Sequence, residues 1–246
     1  NQDWIEEKNR IKALSWWSDV AGKHGINTDG KAWHLQPIAL ICAFSTTPKI
    51  NNIIKEGQIT FDAEGNNISS SPFFSRVIHW PGNDLSGVTL GRGYDMGSRS
   101  ESEIYNHMKN AGINHDQATK ISQAHGIKGT AAQQFVINNK TSIGKITTEQ
   151  EIILFNTIYP DYVARAINNY NHWTANESGR TAWGALTQII RDVLVDFVYQ
   201  GFTKGPNPMK AGMRNDKEEL IHYIENTPAI NQYEPGRNRA RYLRNN

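Results

Sequence analysis

A single cysteine, Cys42, in 246 residues excludes an internal disulfide and any Cys-rich zinc site. It lies in the apolar run 38–44, where a buried structural thiol is the expectation rather than a nucleophile. One free cysteine does not assign a compartment. No apolar stretch approaches the roughly 20 residues that span a bilayer. The longest, 189–202, is interrupted by Arg191, Asp192 and Asp196, so no membrane insertion is expected. The net charge is only +2, too small to argue for a nucleic-acid partner. The 8 histidines are scattered, without a His-Glu-x-x-His pair, and there is no EF-hand loop, phosphate-binding glycine loop or nucleophile elbow. Neither metal nor cofactor is therefore expected. The chain has no initiator Met and no signal-peptide pattern, so Asn1 reads as the edge of a cut or processed product.

What is present is an ordinary globular composition, 38% hydrophobic and 20% charged, enough for one large domain with a smaller appendage. Residues 203–246 hold 8 Lys/Arg against 5 acids, a mild basic excess that a solvated helix face or an anionic polymer would both explain. Apolar spacing predicts an amphipathic helix over 3–22, a turn at 27–30, an ambiguous segment at 33–44 and a short helix or linker at 49–57. Strand character appears at 58–62 and 86–94, separated by Ser/Asn-rich and Pro-Gly turns. From about residue 100 helices are expected at 101–111, 115–125, 130–139, 147–170, 181–201, 216–226 and 237–244. Ser100, followed by Glu103, suits the cap of the first, and Asn215 that of 216–226; Pro160 should bend or split 147–170. The fold class is thus α+β, a small β-hairpin lobe beside a larger, mainly helical one, with a cleft between them.

The chemistry concentrates in residues 61–97. Glu64-Gly65 falls at a corner, where burial could keep a carboxylic acid protonated near neutral pH. In Gly87-Val-Thr-Leu-Gly91, Thr89 shares a strand face with two glycines, leaving room for water or a sugar. Asp95 follows Gly93-Tyr94. An acid, a hydroxyl and a second carboxylate on one hairpin are the parts of an inverting glycosidase. Each has a plainer reading: a turn glutamate, an edge-strand threonine, a capping aspartate. Of the 7 tryptophans, Trp80 beside Pro81-Gly82 is the best placed to stack on a sugar.

Glu64-Gly65 followed by Thr89-Leu90-Gly91-Arg92-Gly93 resembles the active-site hairpin of phage-type lysozymes, and more closely that of pesticin-like bacteriocin muramidases and secreted antibacterial effectors. In the latter the second carboxylate follows the threonine by six residues, as Asp95 follows Thr89; in phage enzymes it precedes by six, which here is Asn83, with Asp84 beside it as the rival. Val198-Tyr-Gln-Gly201 is similar to the Phe-Gln-x-Gly turn of the phage-lysozyme cleft, and the segment 235–242 to a C-terminal Pro-Asn-Arg-Ala stretch whose arginine pairs with the catalytic glutamate. The resemblance implies a lysozyme-like domain at 57–246 after an N-terminal helical extension or connector at 1–56. It implies Glu64, Thr89 and Asp95 as catalytic residues, with Gln200, Tyr94 and Arg239 at the substrate. It further implies peptidoglycan as the substrate, an immunity protein as partner, a monomer, and secretion or delivery to the periplasm of a target bacterium; the stretches 17–25 and 30–37 resemble segments that precede toxin domains in type VI secretion effectors. A phage endolysin or a non-catalytic wall-binding module is the alternative.

Overall fold

The structure, a computed structural model, describes residue 5, residues 53–71 and residues 74–246. Cys42 and the expectations for 3–22, 27–30 and 33–44 lie outside the described residues, Ile5 excepted, which is helical and exposed. Helix α1 is Gln58–Ala63, and the hairpin strands are β1, Thr89–Leu90, and β2, Tyr94–Asp95. Helices α2 (Glu101–Asn110), α3 (His115–Ser122), α4 (Gly129–Ile143) and α5 (Thr148–Thr174) follow. A 3-10 turn at Trp183–Ala185 leads into α6 (Gln188–Tyr199). The C-terminal part holds α7 (Asn207–Ala211), α8 (Lys217–Asn226), α9 (Pro228–Asn231), α10 (Glu234–Arg237) and α11 (Arg239–Asn245). The class is α+β, largely helical with one small antiparallel hairpin.

The expected strand at 58–62 is helical instead. The Ile59/Phe61 alternation suggested a half-buried strand, but Thr60 between them is buried as well. Three successive buried residues suit a short helix, whose side chains fan round the axis, better than a strand with one wet face. Gln58 Nε2 donates to Asp62 Oδ1 at 2.9 Å, one turn along. The other strand, expected over 86–94, is shorter than that: Gly91–Gly93 form the turn, and Thr89 pairs with Asp95, Leu90 with Tyr94. On the other side of β1, His79 and Thr89 exchange both backbone bonds, at 2.9 and 2.8 Å.

Helix α5 is the spine. Ile152, Phe155, Tyr159, Ala166 and Tyr170 recur at helical spacing and enter one core with α1, α6 and the C-terminal helices. Leu154 and Ile158, on another face, enter a second core with the hairpin and α2–α4. Thr147 and Gln150 close a capping box at its start. Pro160 neither ends nor splits the helix; well-buried Ile158 and Tyr159 precede it, and packing there outweighs the one bond the proline cannot make.

Capping follows local chemistry closely. Ser100 accepts from Glu103 N at the start of α2. At α8, however, Asp216 is the cap, taking Glu218 N and Glu219 N, while Asn215 sits at φ 58 and its Oδ1 accepts Thr187 N at 2.7 Å. Extended backbone at Leu186 and Thr187 separates the 3-10 turn from α6, dividing the long helix expected over 181–201.

Gly93 has φ +88, and a Cβ there would lie 2.6 Å from the Tyr199 hydroxyl. Gly93→Ala should combine backbone strain with a clash and cost about 1–3 kcal/mol. Thermal unfolding should show a lowered Tm, partly restored by adding Tyr199→Phe; an unchanged Tm for the single variant would refute the close approach.

Candidate functional site

Glu64 is the residue immediately after α1, with its N–H bonded to Thr60 O. Gly65 follows at φ 146, a conformation that favours glycine, and turns the chain away so that the Glu64 side chain faces a cleft. That cleft has a volume of about 580 Å³. Glu64, Gly65 and Asn66 line it on one stretch of chain, Ser75, His79 and Trp80 on another.

The hairpin turn grips the end of α1. Arg92 Nη1 donates to Phe61 O at 2.7 Å and to Gly65 O, satisfying carbonyls that a helix terminus leaves open. The same guanidinium lies 4.3 Å from the Phe61 ring centroid and 3.3 Å from the fully buried Glu151 carboxylate. Tyr199 donates to Arg92 O and stacks on Tyr162, with ring centroids 4.0 Å apart.

From the C-terminal side, Arg237 bonds Glu64 Oε1 directly. Its other nitrogen donates to Asp196 Oδ1 at 2.7 Å, and Arg239 Nε donates to Asp196 Oδ2 at 2.6 Å. Arg239 also reaches Gln200 Oε1, and Glu234 Oε1 at 3.2 Å. Asp196 and Arg239 are fully buried. The cluster formally holds three acids against two guanidiniums and balances when one acid is protonated. Burial raises the Glu64 carboxyl above its ordinary range; Arg237 opposes this and Asp196 adds to it. Asp192, one turn before Asp196, takes Tyr242 Oη at 2.6 Å and Gln188 Nε2 at 2.7 Å.

Thr89 and Asp95 face each other across the hairpin, so their side chains share a face. Asp95 is half-buried, and its two oxygens accept Gly87 N at 3.0 Å and Gly97 N at 2.6 Å. Thr89 is 4% exposed and its hydroxyl donates to Gly87 O at 3.4 Å. The space expected beside it is filled on the Gly87 side: a Cβ at Gly87 would meet Gly97 N at 2.4 Å and Asp95 Oδ1 at 2.6 Å. Neither residue lines the Glu64 cleft. Both carboxyls nevertheless act on one neighbour: the Tyr162 phenol is raised by burial, and Arg165 opposes, while Glu64 and Asp95 add to the rise.

Three further expectations are corrected. Tyr94 is 1% exposed, in the second core, with its hydroxyl on His107 Nδ1 at 2.8 Å; it is not at the cleft surface. Arg239 does not touch Glu64; Arg237, two residues earlier, takes that place, and Arg239 supports it through Asp196. Gln200 is occupied by Arg239 rather than turned wholly to the cleft. Asp84 is exposed, beside Gly129 at the start of α4. Trp80 lines the cleft and also packs on the second core, while Trp173 and Trp183 pack on the first. Arg92, Asp196, Tyr162, Tyr199 and His79 were not singled out from sequence. Asp196 carried a usable signal, since an acid inside an apolar helical run must find a cation. Among the described residues no group of three or more His, Cys, Asp or Glu could hold a metal ion, and no helix is long and apolar enough to cross a membrane.

The chain belongs to the family described as Domain of unknown function (DUF8812), which matches residues 57–241. The match starts one residue before α1 and ends within α11, so it includes every element that builds the cleft and its arginine cluster. No curated protein matches the chain.

Two outcomes follow from the cluster. Asp196→Ala would leave the buried Arg239 guanidinium and the part-buried Arg237 one short of their partner and should cost about 3–5 kcal/mol in urea unfolding; a loss below about 1 kcal/mol would contradict the network. Glu64 binds its proton more tightly folded than unfolded. The wild-type protein therefore loses stability as pH rises from the ordinary 4.5 to the raised folded-state value. Glu64→Gln cannot titrate, so across that interval its urea midpoint should gain on wild type, and the difference should be flat on either side. A difference independent of pH would show that the carboxyl is not perturbed.

Proposed function

We propose that this domain is a lysozyme-like muramidase that cleaves the β-1,4 bond between N-acetylmuramic acid and N-acetylglucosamine in peptidoglycan. The observation that carries this reading is Glu64: a carboxyl with raised proton affinity, held by Arg237, at the wall of a cleft. A carboxyl whose proton affinity burial raises, at the wall of a cleft of about 580 Å³, suits protonation of a glycosidic oxygen.

Glu64 donates its proton to the leaving oxygen. Arg237 then stays beside the carboxylate that forms, stabilising it. Asp95 is the carboxylate we assign to direct a water to the opposite side of the sugar, giving inversion; it lies beyond the cleft lining, so that water would bridge it to the sugar, while Thr89, buried on Gly87 O, supports the hairpin face. The two backbone amides on Asp95 fix its orientation and leave lone pairs for that water. The mild basic excess of the C-terminal part suits an anionic wall polymer. In biological terms the reading is an antibacterial effector or toxin domain acting in the periplasm of a target cell and neutralised by an immunity protein in its producer.

Digestion of purified peptidoglycan, with products identified by mass spectrometry, tests this. Wild type should release muropeptides ending in reducing N-acetylmuramic acid, and Glu64→Gln should be slower by about 10²–10⁴. Asp95→Asn should be impaired and Asp84→Asn should not; the reverse would make Asp84 the second carboxylate. Proton NMR of the first product anomer should show inversion. Wall pelleting without any product would make the domain a binding module.

A further inference from the structure

His79 is a cleft group that the hairpin motif does not name. We propose that its Nε2 accepts a hydrogen bond from an O–H or N–H of the glycan lying across Glu64, making His79 a substrate-contacting residue. This rests on reading the cleft as a peptidoglycan site.

Backbone pairing fixes where the imidazole stands. His79 and Thr89 exchange two backbone bonds, and Thr89 pairs in turn with Asp95. Residues directly opposite in antiparallel pairs project to one face, so His79, Thr89 and Asp95 form a row. Asp95 is engaged by two amides and Thr89 is buried on Gly87 O, whereas His79 lines the same cleft as Glu64. Its Nδ1 lies 3.1 Å from Val77 O. A carbonyl can only accept, so Nδ1 carries the proton and Nε2 presents a lone pair. Among the described residues nothing donates to Nε2. Burial, with Lys140 adding to it, disfavours the charged imidazolium and so preserves the acceptor at neutral pH; the Val77 carbonyl works the other way. A ring held at both its backbone and its Nδ1 is oriented before substrate arrives. Trp80, the next residue, lines the same cleft while packing on the second core, and so anchors that wall.

Two substitutions separate this role from a structural one. In His79→Asn the side-chain amide can keep the bond to Val77 O but has nothing at the Nε2 position. In His79→Gln an amide oxygen can reach the Nε2 position. Loss of one such contact should lower kcat/KM on solubilised glycan strands about tenfold, since 1.4 kcal/mol is a factor of ten. The expected result is His79→Asn down by that amount and His79→Gln within about threefold of wild type on the same scale. The opposite order would assign His79 to its Val77 bond and overturn the proposal, as would two unaffected variants. A second measurement needs no change at His79. In the Glu64→Gln protein, the imidazole ¹⁵N spectrum is recorded while adding the tetrasaccharide of alternating N-acetylglucosamine and N-acetylmuramic acid. The Nε2 resonance should move and Nδ1 should stay; an unmoved Nε2 at saturation overturns the proposal even if both variants fold poorly. If wild type releases no product and the tetrasaccharide does not bind, the peptidoglycan reading fails and this inference fails with it. If wild type is active and His79 is indifferent, only this inference fails.

Discussion

The fully buried carboxylate of Asp196, on a helix otherwise packed with Ile190, Val193, Leu194 and Phe197, is the constraint from which the site is built. A charge in that position is tolerable only if cations and hydrogen-bond donors surround it. Its two oxygens take one guanidinium each, from Arg237 and Arg239. The C-terminal segment must therefore cross α6 at that point, and the Arg237 side chain must pass between Asp196 and Glu64. Gln200 and Glu234 complete the donors of Arg239, and the Phe197 ring lies 4.9 Å from its guanidinium. Glu64 thus belongs to a network in which burial raises its proton affinity, Arg237 opposes the rise and Asp196 adds to it.

A second set of contacts fixes the distance between Glu64 and the hairpin. Arg92 is the bridge: its side chain ends α1, its charge meets Glu151 on α5, and its own carbonyl is held by Tyr199 from α6. Four elements meet in one residue, and the space above Gly93 is only large enough for the Tyr199 hydroxyl. The stack of Tyr199 on Tyr162 closes the gap between the two cores that α5 serves. A carboxyl at a helix end is ordinarily mobile; here the backbone on both sides of it is clamped.

Under the proposed reading, that arrangement suits acid–base chemistry on an extended glycan better than mere display of a binding surface. Binding alone gains nothing from an acid with raised proton affinity, and such a group costs stability when ionised. The cleft walls mix apolar groups with a few polar ones, Glu64 and His79 among them, as ligand sites commonly do.

The sequence by itself determined the fold class and most helices. Helical spacing is a local property, and α2, α3, α4, α5 and α8 stand close to where it puts them; Ser100 caps α2 for the same reason. Glu64 followed by glycine was legible because a corner residue leaves a local mark. Local pattern misread α1, since Ile59 and Phe61 alternate as in a strand and only the packing partner over Thr60 shows otherwise. The family resemblance placed Arg239 beside Glu64, but Arg237, two residues earlier on the same short segment, takes that place while both arginines bond Asp196. Only the tertiary structure decided that Tyr94 is buried, that Thr89 has no open space beside it, and that His79 joins the row behind them. These outcomes depend on which chain segments meet, and a contact between residues 64 and 237 or between 79 and 89 is written in neither segment alone.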